Sequence, residues 1–146
     1  DPDNRRTYAA NARKYRAELT ALDREFAAGL ADCDRNVVVT SHAAYLYLTS
    51  RYRLEQEAVT GATPEAEPSP ARLAGLTELI RDSGVTTVFT EPLAGERPAA
   101  TLARETGVTI AVLDPLEGPP RDAPNATYAE LMRKNLAALR TALGCR

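Results

Sequence analysis

Three side chains in this sequence could bind a metal ion or transfer a proton: His42, Glu91 and Asp114. His42 is the single histidine of the chain, and imidazole nitrogen and carboxylate oxygen are both common zinc ligands. Each residue also has a plainer interpretation. A lone histidine can be structural, and an acidic residue before proline, as in Glu91-Pro92 and Asp114-Pro115, can simply initiate a turn. The positions of these residues in the fold therefore decide between the two interpretations.

Three of the four segments predicted as β-strands run directly into one of these candidates. β-branched runs without polar alternation are typical of strands that are covered on both faces. The four segments are 36–41, 54–60, 86–90 and 108–113, and the first, third and fourth lead into His42, Glu91 and Asp114. In a parallel sheet the carboxyl ends of the strands form the functional edge. We therefore expect the three candidates to lie at one edge of a sheet.

Helices are predicted between the strands. Apolar residues recur at steps of three and four from Tyr8 to Leu30, which predicts a long amphipathic helix. Further helices are expected over 43–50, after Ser69-Pro70, over 98–106, and after Thr127, with a proline-rich loop over 62–70. The alternation of predicted strands and helices indicates an α/β fold, with a four-stranded parallel sheet and helices on both faces.

Composition narrows the functional classes further. The 146 residues have the size of one domain, spanning 1–146, and carry a net charge of −2 without a basic cluster, which argues against a nucleic-acid partner. No apolar run is long enough to insert in a membrane. Motifs for dinucleotide, NTP and α/β-hydrolase chemistry do not occur. Because the chain starts at Asp1 without an initiator Met, it reads as a processed protein or an excised piece.

The two cysteines, Cys33 and Cys145, are too far apart to form a C-x-x-C pair. They are either two free thiols or one structural disulfide. Both follow predicted helices, which favours a disulfide. Such a bridge would contribute on the order of 4 to 5 kcal/mol in the chain-entropy model, and it would place the protein outside the cytoplasm.

Several segments together resemble the solute-binding proteins of bacterial zinc and manganese ABC transporters, the cluster A-I or ZnuA-like group. Residues 41–45, Ser-His-Ala-Ala-Tyr, are similar to the family's Ser-His-x-Ala-Phe ligand motif. The other similar segments are the opening helix with Tyr8, Asn11 and Tyr15, the loop 64–70, the motifs 89–92 and 112–116, and the closing helix 128–143. The resemblance covers nearly the whole chain.

This resemblance implies that the chain is the Rossmann-like C-terminal lobe of a bilobal metal-binding protein. It implies that His42 and Asp114 are metal ligands and that Glu91 lies behind them and supports the site. Zinc is favoured as the transported ion because manganese-preferring members tend to carry Glu at the position of His42. The N-terminal lobe, with further histidines, is not part of this sequence, so the chain alone should hold Zn²⁺ weakly.

The function implied is high-affinity zinc capture and delivery to an ABC transporter permease, by an extracytoplasmic protein whose parent is a lipid-anchored lipoprotein. Three alternatives remain open. The first is a manganese-specific solute-binding protein. The second is a small metal-assisted hydrolase of flavodoxin-like form, in which His42 and Asp114 surround a metal-bound water. The third is an interaction module whose metal site is vestigial.

Overall fold

A four-stranded parallel sheet forms the centre of the molecule, in the strand order β2-β1-β3-β4. The computed structural model describes residues 1–61, 67–92, 97–118 and 123–146. In chain order the elements are α1 (Arg5–Gly29), β1 (Val37–Thr40), α2 (Leu46–Arg51), β2 (Glu55–Ala58), α3 (Pro70–Asp82), β3 (Thr87–Thr90), α4 (Arg97–Thr106), β4 (Thr109–Val112) and α5 (Tyr128–Leu143). The predicted fold class is confirmed.

Helices cover both faces of the sheet because the strands carry apolar side chains on both sides. On one face Val38 and Phe89 pack with Phe26 of α1 and Leu139 of α5. On the other face Val39 and Val88 form a second buried cluster with residues of α3 and α4, namely Leu76, Ile80, Ala99 and Leu102. Neighbouring residues of one strand therefore contribute to opposite cores, as the two-residue period of a strand requires.

Local capping signals fix two helix starts where the sequence predicts them. The Ser69 side chain accepts a hydrogen bond from the backbone N–H of Arg72, and Pro70 opens α3. At the start of α5, Thr127 and Glu130 form a complete capping box. Of the loop predicted over 62–70, residues 62–66 lie outside the described residues.

The helix predicted over 43–50 begins three residues later than expected, at Leu46. The backbone N–H of Ala43 donates to Gly61, and the N–H of Tyr45 donates to the side chain of Gln56. These partners come from β2 and from the segment that follows it. They hold the backbone after His42 out of helical geometry, and a local sequence pattern does not reveal them.

Cys33 and Cys145 form a disulfide, 112 residues apart in sequence. Cys33 follows α1 and Cys145 follows α5, and the two residues also pair in an isolated antiparallel bridge. The predicted disulfide is confirmed. It joins the ends of the two helices that cover the same face of the sheet.

The long first helix is only partly packed. Leu22 and Phe26 are buried, whereas Tyr8 and Tyr15, on the predicted apolar face, are about half exposed. All residues of the first half of α1, from 5 to 18, are exposed. Among the described helices, none combines the length and apolar character needed to cross a bilayer.

Candidate metal centre

His42 and Glu91 are in direct contact at the carboxyl edge of the sheet. His42 lies two residues after β1, Glu91 follows β3, and His42 Nδ1 is 2.5 Å from Glu91 Oε1. Both residues are buried. Since a carboxylate can only accept a hydrogen bond, this contact assigns a proton to Nδ1, and in the tautomer protonated only at Nδ1 the Nε2 atom presents a lone pair. Within the described part of the chain, Nε2 has no hydrogen-bond partner.

Glu91 is held in this position by Ser41. The Ser41 hydroxyl donates to Glu91 Oε1 at 2.6 Å, the same oxygen that contacts His42. Ser41 is also buried. The order of these contacts differs from a Ser-His-acid catalytic triad, in which the serine would contact the imidazole. Ser41 and Glu91 instead orient the imidazole ring.

The backbone at His42 is fixed by two further side chains. The Thr40 hydroxyl donates to the His42 carbonyl at 2.7 Å, and Gln56 Nε2 donates to the same carbonyl at 3.1 Å. Gln56 Nε2 also donates to the Thr40 hydroxyl. Gln56 comes from β2, the strand beside β1, so the neighbouring strand restrains the segment that carries the imidazole.

Asp114 lies two residues after β4 and is partly buried. Its backbone N–H donates to Asn135 Oδ1 at 2.9 Å, and its carbonyl accepts from Asn135 Nδ2 at 2.7 Å. Its Oδ1 accepts from the N–H of Leu116, a residue in the left-handed region with φ of 62°. Among the described residues, none donates a hydrogen bond to Oδ2 of Asp114.

Tyr45 lies between the segments that carry His42 and Asp114. Its ring is buried, and its hydroxyl donates to the Leu113 carbonyl at 2.6 Å. Burial, and then the charges of Glu91, Asp114 and Glu117, raise the pKa of the Tyr45 hydroxyl well above its usual range. The hydroxyl therefore stays protonated.

The structure thus brings His42 and Glu91 into contact, whereas Asp114 forms no hydrogen bond or ion pair with either of them. Asp114 instead lines a cleft of about 410 Å³ whose other walls include Tyr45, Leu48 and Met132. Within residues 1–61, 67–92, 97–118 and 123–146, no three His, Cys, Asp or Glu side chains form a group able to hold a metal ion. A closed zinc site normally has four ligands. The described residues offer an oriented imidazole and, after another strand of the same sheet, a carboxylate, which are fewer ligands than a closed zinc site needs.

Sequence reasoning did not identify Asn135 or Gln56 as residues of this region, and it placed Tyr45 in the ligand motif 41–45 without giving its hydroxyl a role. Asn135 lies on the buried face of the last helix, among apolar residues. A buried amide needs polar partners, so an asparagine on an apolar helix face was the available signal. Gln56, within the short polar strand Glu55–Ala58, carried no comparable signal.

The comparisons with known proteins agree with this fold. Residues 1–142 match the model of the family described as zinc-uptake complex component A, periplasmic, and the chain belongs to that family. The family consists of metal-binding proteins of transporters and is not an enzyme family. Membership of this family argues against the alternative that the chain is a metal-assisted hydrolase.

Curated relatives are also named for zinc binding or zinc uptake. The zinc-binding lipoprotein AdcA of Streptococcus pneumoniae is 41% identical over 141 residues, which is 95% of this chain and 28% of the relative. The high-affinity zinc uptake system protein ZnuA of Bacillus subtilis is 34% identical over 145 residues, which is 98% of this chain and 46% of the relative. The chain therefore spans less than half the length of these relatives.

A solved structure supports the same assignment. The crystal structure of the Zn(II)-bound ZnuA-like domain of Streptococcus pneumoniae AdcA has a TM-score of 0.78 and 39% identity, and the match covers 97% of this chain and 54% of that chain. About half of the neighbouring structure thus has no counterpart in this chain.

Proposed function

We propose that this chain is the C-terminal lobe of a zinc-uptake solute-binding protein and supplies His42 and Asp114 to the zinc site. The observation that carries the proposal is the contact between His42 Nδ1 and Glu91. Metal-binding histidines commonly donate their second ring N–H to a carboxylate, which fixes the tautomer and strengthens the ligand nitrogen. His42 has this arrangement at an edge where a second carboxylate, Asp114, is held by its own backbone contacts.

Zinc is the cargo that this donor set favours. Imidazole nitrogen suits zinc better than it suits manganese, which prefers oxygen ligands. The relatives named for zinc binding and zinc uptake point in the same direction. With Glu91 engaged by His42 and Ser41, its role is orientation, and the direct ligands from this chain are Nε2 of His42 and a carboxylate oxygen of Asp114.

The remaining ligands come from outside this chain, from an N-terminal lobe of the same protein. Two facts support this: the described residues hold too few ligands for a closed site, and the relatives are more than twice as long as the match. The metal would lie between the two lobes. The loaded protein would then deliver zinc to an ABC transporter permease.

The protein works outside the cytoplasm, in the periplasm or anchored to the cell surface. The disulfide between Cys33 and Cys145 supports this location because such bridges persist in oxidising compartments. The relative named a zinc-binding lipoprotein supports attachment of the parent protein by a lipid.

Calorimetric zinc titration tests the proposal. The chain is titrated alone and within the longer protein that includes the N-terminal lobe, each with and without His42→Ala. We expect weak binding by the chain alone and a large gain in the longer protein, and we expect His42→Ala to abolish that gain. Equally tight binding by the chain alone and by the longer protein would show that the site is complete within this chain.

A further inference from the structure

Tyr45 connects the two segments that carry the proposed ligands. It follows His42 by three residues, and its backbone N–H donates to the side chain of Gln56. Its hydroxyl donates to the carbonyl of Leu113, the residue before Asp114. In the sheet, β3 separates β1 from β4. The loops after β1 and β4 therefore have no ladder hydrogen bonds between them, and Tyr45 bridges them instead.

We propose that Tyr45 is a positioning residue whose hydroxyl sets the spacing between His42 and Asp114 before zinc arrives. This inference rests on the proposed zinc function. The backbone around Asp114 has its own hydrogen-bond partners. The Leu113 N–H donates to the Thr90 carbonyl, and the Asp114 N–H donates to Asn135. The Leu116 N–H donates to the Asp114 side chain. Among the described residues, Tyr45 is the one whose side chain links residues 113–116 to the His42 segment by a hydrogen bond.

The physical reason is the cost of ordering two separate segments. Two ligands on independently moving loops must lose conformational freedom when the metal binds, and this loss weakens binding. A buried hydrogen bond between the loops removes part of that freedom in the unbound protein. The hydroxyl remains a donor because its surroundings keep it protonated, so the link is present throughout the physiological pH range.

The hydroxyl can be separated from the packing of the ring. The Tyr45 ring belongs to the buried cluster under α1 and α5, and the ligand motif that residues 41–45 resemble ends in Phe. Tyr45→Phe therefore retains the ring and removes only the link to Leu113. Tyr52→Phe is a matched control, because the Tyr52 hydroxyl donates to Asp23 of α1 and makes no hydrogen bond to the two ligand segments.

Nuclear magnetic resonance on the intact chain provides the test. His42 is the single histidine, so all ring signals of a histidine-labelled sample belong to it. The shift of these signals during a zinc titration gives the dissociation constant of the chain for Zn²⁺. Backbone relaxation in the absence of zinc reports the mobility of residues 113–116. His42→Ala, followed through the backbone signal of Asp114, shows whether zinc binding depends on the imidazole.

We expect Tyr45→Phe to weaken zinc binding by about 5- to 10-fold, which corresponds to the loss of one hydrogen bond, and to increase mobility at 113–116. Tyr52→Phe should change neither quantity. A loss of folding stability alone would not change zinc affinity while the variant remains folded. Unchanged binding and mobility in Tyr45→Phe, or equal changes in both variants, would overturn the inference and leave the zinc function intact. Zinc binding that does not need His42 would instead remove the proposed function and this inference with it.

Discussion

The side-chain amide of Asn135 holds both backbone polar groups of Asp114, accepting from its N–H at 2.9 Å and donating to its carbonyl at 2.7 Å. Asn135 comes from α5 and is buried. The amide therefore replaces the strand partner that Asp114 lacks beyond the end of β4. It fixes the backbone from which the proposed carboxylate ligand projects.

Asn135→Ala is expected to lower the free energy of unfolding by about 1 to 3 kcal/mol, because it leaves the N–H and carbonyl of Asp114 without their partner. Urea unfolding followed by circular dichroism measures this loss. Thr141→Ala is the control on the same helix, since the exposed Thr141 hydroxyl bonds only within α5, and it should change stability by less than about 0.5 kcal/mol. Equal effects of the two substitutions would show that the amide contacts are unimportant.

Glu91→Gln should weaken zinc binding by about 10-fold or more, because a neutral amide no longer polarises the His42 ring as the carboxylate does. Zinc calorimetry measures the change. Glu117→Gln removes an equal charge from the same region, since Glu117 also acts electrostatically on Tyr45. If Glu117→Gln weakens binding as much as Glu91→Gln, general electrostatics rather than the contact with His42 accounts for the effect.

Replacing both cysteines, Cys33→Ser with Cys145→Ser, should lower the free energy of unfolding by about 4 to 5 kcal/mol in the chain-entropy model. The bridge closes a loop over a sequence separation of 112 residues. Urea unfolding with and without a thiol reductant checks this. The reductant should bring the unsubstituted protein to the stability of the variant and leave the variant unchanged. A variant as stable as the oxidised protein would contradict the assigned role.

The ion pair between Glu25 of α1 and Arg133 of α5 predicts a pH dependence of stability. The hydrogen bond from Arg133 holds the pKa of Glu25 below its usual 4.5. A lowered folded-state pKa stabilises the protein above the unfolded-state pKa, and this contribution is lost as the pH falls through the folded-state value. The stability difference between the unsubstituted protein and Glu25→Gln should therefore be larger at about pH 7 than at about pH 3.

Urea unfolding at the two pH values, with and without added salt, measures this difference. Both side chains are partly exposed, so salt should reduce the difference at neutral pH. A difference that stays constant across this pH range would show that the ion pair does not link α1 to α5 energetically.

Features of the fold with local causes were predictable from the sequence. The strands before His42, Glu91 and Asp114 follow from β-branched runs, and the starts of α3 and α5 follow from Ser69-Pro70 and from the Thr127–Glu130 capping box. The disulfide was favoured because both cysteines follow helices. In each case the relevant residues are close in sequence or constrained by simple geometry.

The contacts around the candidate site were less accessible to sequence reasoning because they join distant parts of the chain. Gln56 reaches His42 across 14 residues, Asn135 reaches Asp114 across 21, and Tyr45 reaches Leu113 across 68. A polar residue at such a position gives no local indication of its partner. The delayed start of α2 has the same origin, since Gly61 and Gln56 hold the preceding backbone.

The most direct test of the zinc site is anomalous diffraction at the zinc edge from crystals of the zinc-loaded protein. We expect one peak about 2.0 to 2.1 Å from His42 Nε2 and about 2.0 to 2.2 Å from a carboxylate oxygen of Asp114, with Glu91 still on His42 Nδ1. A peak bound elsewhere, or one that touches His42 while Asp114 remains distant, would contradict the account that these two residues share one metal ion.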